Sequence, residues 1–116
     1  MDYLSLIGRS GAIFSQDIAS KEEDLRKIIG RSRFLILGGS GSIGQSVVRE
    51  VFKRDPKVLH VVDISENNLV ELVRDIRSTV GYGSGDFRTF ALDCGSVEFI
   101  ACVKAEGPYN YVFNLS

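Results

Sequence analysis

The hydrophobic positions of this chain fall into two alternating patterns. Phe34-Leu-Ile-Leu37 is an unbroken apolar run, which predicts a strand buried on both faces. Ile43, Val47, Val48, Val51 and Phe52 then recur at helical spacing until Asp55-Pro56, where the residue ahead of proline disfavours the helical region. Val58-Leu-His-Val-Val62 predicts a second buried strand ending in Asp63. Ser65 caps a helix whose Leu69, Leu72, Val73 and Ile76 share one face, and the glycines at 81, 83 and 85 break it. Phe87 to Leu92 reads as a third strand. Ser96 opens a helix carrying Phe99, Ile100 and Val103, and Gly107-Pro108 turns the chain into a fourth strand, Tyr111 to Leu115. Strand and helix in strict alternation imply an α/β fold, a parallel sheet with helices on its faces and right-handed crossovers. The pattern predicts the first half of a doubly wound domain.

Upstream of that alternation the pattern weakens. Residues 1 to 16 predict a loosely held arm. Ser20-Lys-Glu-Glu23 makes a capping box, in which the Ser20 hydroxyl accepts from the Glu23 amide and Glu23 reaches back to the Ser20 amide. A short extra helix should follow, with Leu25, Ile28 and Ile29 on one face and Gly30 ending it in the left-handed conformation. The expected division is thus an N-terminal arm and helix over 1–31 and the α/β domain over 32–116. Ser116 ends a strand with no helix after it, which predicts that the domain is cut after its fourth strand and that the chain is the front of a longer one.

Composition narrows the ligand. With 44% hydrophobic and 25% charged residues the chain can build a core, and a net charge of −1 with mixed signs offers no basic patch for nucleic acid or a membrane surface. A small molecule is the expected partner. Cys94 and Cys102 lie eight apart with no second pair or histidine near them, which excludes the common zinc spacings and suits reduced thiols in the cytoplasm. The apolar run Leu4 to Ile7 is too short for a signal peptide or a membrane span. His60, the lone histidine, sits midway along an apolar strand and reads as a satisfied buried side chain, and Glu22, Glu23 and Asp24 read as a solvated helix face.

The chemistry concentrates in Leu37-GGSGSIG-Gln45. Gly39, Gly41 and Gly44 fit G-x-G-x-x-G, and from Gly38 the turn also fits G-x-x-G-x-x-G. It comes within one residue of the mononucleotide P-loop, with Gln45 where the lysine belongs. The β- and γ-phosphates concentrate charge that amides alone neutralise poorly, and Gln45 cannot supply the missing cation. A dinucleotide pyrophosphate needs only the amides and dipole of a helix N-terminus. Gly39 and Gly41 would let the backbone approach it, and Gly44 would let the helix pack closely on the strand. A bare strand-to-helix turn could use the same glycines. Against that, Asp63 ends the next strand nineteen residues after Gly44, where the Rossmann fingerprint places the acid for the adenosine ribose. Asp93, ending the third strand, could accept from the adenine amino group or simply cap the turn Asp93-Cys-Gly-Ser96. Asn114 and Ser116 end the fourth strand and could face the nicotinamide half, although polar strand ends are common without function. Asp63 favours NAD over NADP: a 2′-phosphate would meet its carboxylate, Glu66 adds a second repulsive charge, and Ile64, Ser65, Glu66 and Asn67 include no cation.

From Ser32 to Ser116 the chain resembles the N-terminal part of an extended short-chain dehydrogenase/reductase, most closely the polysaccharide-biosynthesis group of UDP-N-acetylglucosamine 4,6-dehydratases. The resemblance is carried by the glycine turn, Val61-VDISENNLVELVRDIR-Ser78, Ala91-LDCGS-Ser96 and Val112-FNLS. It implies that Gly38, Gly41 and Gly44 with Ser42 and Ile43 cradle the pyrophosphate. Asp63 would hold the ribose hydroxyls, Asp93 and Cys94 would flank the adenine, and Asn114, Leu115 and Ser116 would approach the nicotinamide ribose. The implied reaction is on a UDP-N-acetylhexosamine: a hydride leaves carbon 4 for the oxidised cofactor, water is lost across carbons 5 and 6, and the hydride returns to carbon 6. A bacterial, cytoplasmic, homo-oligomeric lyase of surface-polysaccharide synthesis is the implied whole.

In one respect the sequence departs from that group. Four residues after Tyr3, Tyr82, Tyr109 and Tyr111 stand Ile7, Asp86, Phe113 and Leu115, so the catalytic Tyr-x-x-x-Lys is absent. The tyrosine would be the base and the lysine would lower its pKa, so no catalytic residue is assigned. The reading is the NAD-binding portion of a nucleotide-sugar 4,6-dehydratase. A sugar 4-epimerase shares that cofactor half, and a non-catalytic dinucleotide sensor would also lack the tyrosine and lysine.

Overall fold

A computed structural model describes the backbone of residues 11–115 and the side chains of residues 21–115. The expected arm from residue 1 and the run Leu4 to Ile7 therefore lie wholly or largely outside the described residues, as does Ser116. In chain order the elements are α1 (Gly11–Gly30), β1 (Arg33–Leu37), α2 (Ser42–Phe52), β2 (Val58–Asp63), α3 (Glu66–Thr79), β3 (Asp86–Ala91), α4 (Val97–Glu106) and β4 (Tyr111–Asn114). The four strands form one sheet in the order β3-β2-β1-β4, every pairing parallel. This is the α/β, Rossmann-like arrangement that the alternation predicts.

Two apolar clusters separate the faces of the sheet. Phe34, Ile36, Leu59, Val61 and Phe113 point to one face, where Val47, Val48, Val51 and Phe52 of α2 and Leu69, Leu72 and Ile76 of α3 cover them. Leu35, Leu37 and Val62 point to the other, against Phe99 and Val103 of α4. Central β1 and β2 are buried on both sides, as unbroken apolar runs require, whereas edge strand β3 is half exposed. Caps place two of the helices: Ser65 accepts from the Asn68 amide and Ser96 from the Phe99 amide. Within α4 no residue is fully buried, and Ile100 points outward at 52% exposure rather than joining Phe99 and Val103.

Three expectations are corrected at the N-terminal side and the helix ends. The first helix runs through Ser20, so the predicted capping box does not start it, and it spans twenty residues. Gly30 is not left-handed; among the described residues the positive-φ glycines are Gly38 and Gly81. Glu22 is not merely solvated: both its oxygens accept from Arg54, at 2.9 and 3.0 Å, and Arg54 also donates to the Glu50 carbonyl at 2.7 Å. Arg54 is 7% exposed, and this pair ties α1 to α2 beside Leu25 and Ile29, which enter the main cluster. After α2, Asp55 takes a left-handed φ of 57° and its carboxylate accepts from the Ser84 amide and hydroxyl at 2.8 and 2.6 Å, latching the glycine loop ahead of β3.

His60 is satisfied, as its place in an apolar strand predicts. It is fully buried, with Tyr109 Oη 2.7 Å from Nδ1 and Asp86 Oδ2 2.9 Å from Nε2. A carboxylate can only accept, so Nε2 carries a proton and donates to Asp86, and the Tyr109 hydroxyl, which can donate or accept, satisfies Nδ1. Arg88 pairs in turn with Asp86 and Glu106.

Candidate functional site

Because all four strands run the same way, their carboxyl ends share one rim, with Gly38, Asp63, Asp93 and Asn114 along it. Amides just past the strands carry the pairing to that rim: Gly38 donates to Val62, Leu92 to Asp63 and Leu115 to Leu37. Strand β1 has β2 on one side and β4 on the other, and α2 and α4 lie on opposite faces. The winding therefore reverses at β1, and in open α/β sheets ligands bind at such a reversal.

The glycines of the turn there face different constraints. Gly38 has φ 79°, a conformation side chains rarely adopt. A Cβ on Gly39 would lie 2.2 Å from Val61 Cγ1, and one on Gly44 would lie 2.3 Å from the Gly38 carbonyl oxygen. The spacing argument gave Gly39 to the ligand; its missing Cβ points into the core. Gly44 lets α2 pack on the turn. Gly41 is exposed, and the nearest atom to its missing Cβ is 3.8 Å away. Nothing in the fold requires glycine at that position.

Helix α2 starts at Ser42 with Gly41 as its N-cap and no side-chain cap. Its first-turn amides, on Ser42, Ile43 and Gly44, have no intrahelical partners and sit at the positive end of the helix dipole. Ser42 and Ile43 are exposed, Ile43 by 68%. This cradle fits a diphosphate: amides and open space without a cation.

Asp63 faces the turn. Its Oδ2 accepts from the Ser40 amide at 3.2 Å and its Oδ1 from the Ser65 amide at 3.1 Å. Burial pushes its pKa up, but hydrogen bonds from the Ser40 hydroxyl and the Ser65, Ser40 and Ile64 amides outweigh it and hold the carboxyl below its ordinary value. Ser40 and Ile64 were assigned no role from sequence. Ile64 leaves 74% of its surface exposed directly after Asp63, and a large apolar residue immediately after the strand-ending acid was the available signal.

Asp93 caps its own turn: Oδ1 accepts from the Gly95 amide at 3.0 Å, and its carbonyl accepts from the Ser96 amide and hydroxyl. Cys94 is half-buried, and burial, then Asp93 and Asp63, push its thiol pKa up. Asn114 is exposed at the rim and Leu115 packs on the main cluster. Among the described residues no cluster of three His, Cys, Asp or Glu could hold a metal, and no helix is long and apolar enough to cross a membrane. A cleft of about 420 Å³ lined by Arg26, Arg54, Asp55 and Lys57 lies at the opposite ends of the strands. Arg54 and Asp55 are already engaged there, with Glu22 and Ser84, so the rim is the better site.

Known proteins match this geometry. Residues 34–105 match the family of polysaccharide biosynthesis proteins. The chain is 36% identical over 56 residues, 48% of its length, to an uncharacterized membrane protein of Methanocaldococcus jannaschii, of which it spans 17%. Among solved structures, Pen from Bacillus thuringiensis superposes on 76% of the chain with a TM-score of 0.61 and 27% identity, and the match covers 26% of Pen. A short chain dehydrogenase from Shigella flexneri superposes on 76% of the chain and 41% of its own, with a TM-score of 0.56 and 14% identity, a likeness of fold. The match from the first sheet strand through α4 takes in well over half the chain, which therefore belongs to the polysaccharide biosynthesis protein family.

Proposed function

We propose that this chain is the NAD-binding portion of a nucleotide-sugar 4,6-dehydratase of the UDP-N-acetylglucosamine class. One observation carries the reading: the uncapped first-turn amides of α2, on Ser42 to Gly44, and the carboxylate of Asp63 share the rim at the switch point, joined through Ser40. Gly41, Ser42, Ile43 and Gly44 would take the pyrophosphate. Asp63 would accept from the adenosine ribose, whose hydroxyls replace the Ser40 hydroxyl, and Ile64 offers apolar surface to the adenine. Asp93 and Cys94 would flank the adenine and Asn114 and Leu115 would approach the nicotinamide ribose, as would Ser116, which lies outside the described residues. When bound, the nicotinamide supplies a reversible hydride acceptor. A UDP-sugar, a homo-oligomeric assembly and a cytoplasmic setting belong to the full-length protein.

The test is cofactor choice. A 2′-phosphate beside Asp63, with Glu66 in the first turn of α3, sets negative charge against negative charge. NAD should bind about tenfold tighter than NADP, or more, at equal ionic strength. Asp63→Ser should shrink the gap chiefly by improving NADP. Equal affinity of the two cofactors for the unmodified chain would remove Asp63 from the ribose, and binding of neither would remove the dinucleotide.

A further inference from the structure

Gln45 occupies the place where a P-loop carries its lysine, yet its side chain is engaged by the turn and by α2 itself. Nε2 donates to the Ser40 carbonyl at 2.8 Å, and Oε1 accepts from Arg49 Nη2 at 3.4 Å. The amide has only one orientation that suits both neighbours, since a carbonyl needs a donor and a guanidinium needs an acceptor. Arg49 is anchored by Asp75 of α3, with Nε and Nη2 both 2.7 Å from Oδ2. Ser40 is thus gripped on both sides, its N–H by Asp63 and its C=O by Gln45, at 6% exposure. The peptide planes that flank Ser40 lead directly into Gly39 and Gly41, residues with the most backbone freedom to lose on binding.

We propose that Gln45 is a positioning residue of the phosphate turn: by holding the Ser40 carbonyl it presets Gly41 and the first amides of α2 for a diphosphate, without touching the ligand. The inference rests on the dinucleotide reading above. Preorganisation of this kind raises affinity by removing an ordering cost.

The test compares the unmodified chain with Gln45→Met, of similar length but without the donor. NAD is titrated by calorimetry and adenosine, which lacks phosphate, by NMR. Gln45→Met should weaken NAD by about tenfold, the worth of one buried hydrogen bond, and leave adenosine unchanged. Arg49→Met, which leaves the turn's own residues intact, should weaken NAD in the same sense by about two- to threefold, and supplies the reading if Gln45→Met melts early. NAD binding unchanged in both variants overturns the inference and leaves the dinucleotide reading standing. Equal losses for NAD and adenosine would also overturn it, because a merely structural glutamine would damage both halves of the site. Failure of the unmodified chain to bind NAD overturns both.

Discussion

A methyl group added to each glycine of the turn meets a different obstacle, and the difference separates folding from binding. On Gly44 it runs into the backbone of Gly38 and Gly39, which cannot step aside. Gly44→Ala should therefore cost about 3 kcal/mol of stability, the upper range for overpacking, read as a lowered denaturation midpoint. On Gly41 it enters open space. Gly41→Val should lower stability by only about 1 kcal/mol, the cost of a poorer N-cap, while abolishing NAD binding, because the branched side chain would stand where the pyrophosphate approaches. Unchanged NAD affinity in a folded Gly41→Val chain would make the turn an empty one. Sequence spacing could flag Asp63, because the distance from a glycine turn to the end of the next strand is fixed by the helix between them. It could not show that the carboxylate grips Ser40, or that Gln45 takes the Ser40 carbonyl. Those contacts depend on which way two short side chains turn once the strands are paired.

At the scale of elements, periodicity found all four strands and placed β1 and β2 to within a residue, because burial on both faces leaves an apolar run in which His60 is tolerated only with both ring nitrogens hydrogen-bonded. It failed where local signals compete. Ser20-Lys-Glu-Glu23 has the residues of a capping box, but helical residues already precede it, and extending an existing helix is easier than nucleating another. The pairing of Glu22 with Arg54, thirty-two positions apart, had no local signature at all. That pair now makes a testable claim about α1. Arg54 is buried and keeps only Glu50 if Glu22 is lost, so Glu22→Ala should cost about 1–2 kcal/mol, less than a fully buried pair because Glu22 is partly exposed. The loss should appear as a fall in Tm of about 4–8 °C per kcal/mol and as faster amide exchange in the C-terminal turns of α1. If α1 exchanges as slowly as before, its docking rests on Leu25 and Ile29 alone.

At the scale of the whole molecule, the proposed reading asks for cofactor binding and no catalysis. The chain spans a quarter of Pen and a sixth of the archaeal relative. Its described surface gathers amides, a carboxylate and apolar side chains at one rim, the groups that the proposed dinucleotide would use. Proton transfer requires more. Tyr109 lies against His60 within the sheet's second face, and burial followed by Cys102 and Glu106 pushes its pKa up, the wrong direction for a base. Its backbone precedes β4, at the opposite end of the strand from the rim, and its hydroxyl reaches only as far as His60 in the middle of β2. Tyr82 is exposed, but it sits in the loop ahead of β3, again at the far edge, stacked on Arg77. No tyrosine is followed by lysine at the fourth position. Mixed with NAD and a UDP-N-acetylhexosamine, this chain should therefore bind the cofactor and form no 4-keto sugar, as read by mass spectrometry over hours at micromolar protein. Two controls give the result meaning: NAD binding measured in the same sample, and added full-length dehydratase that does produce ketosugar under the same conditions. Ketosugar from the chain alone would require a base other than these tyrosines, and the first place to look would be Asp93, the rim carboxylate whose side chain holds only the Gly95 amide.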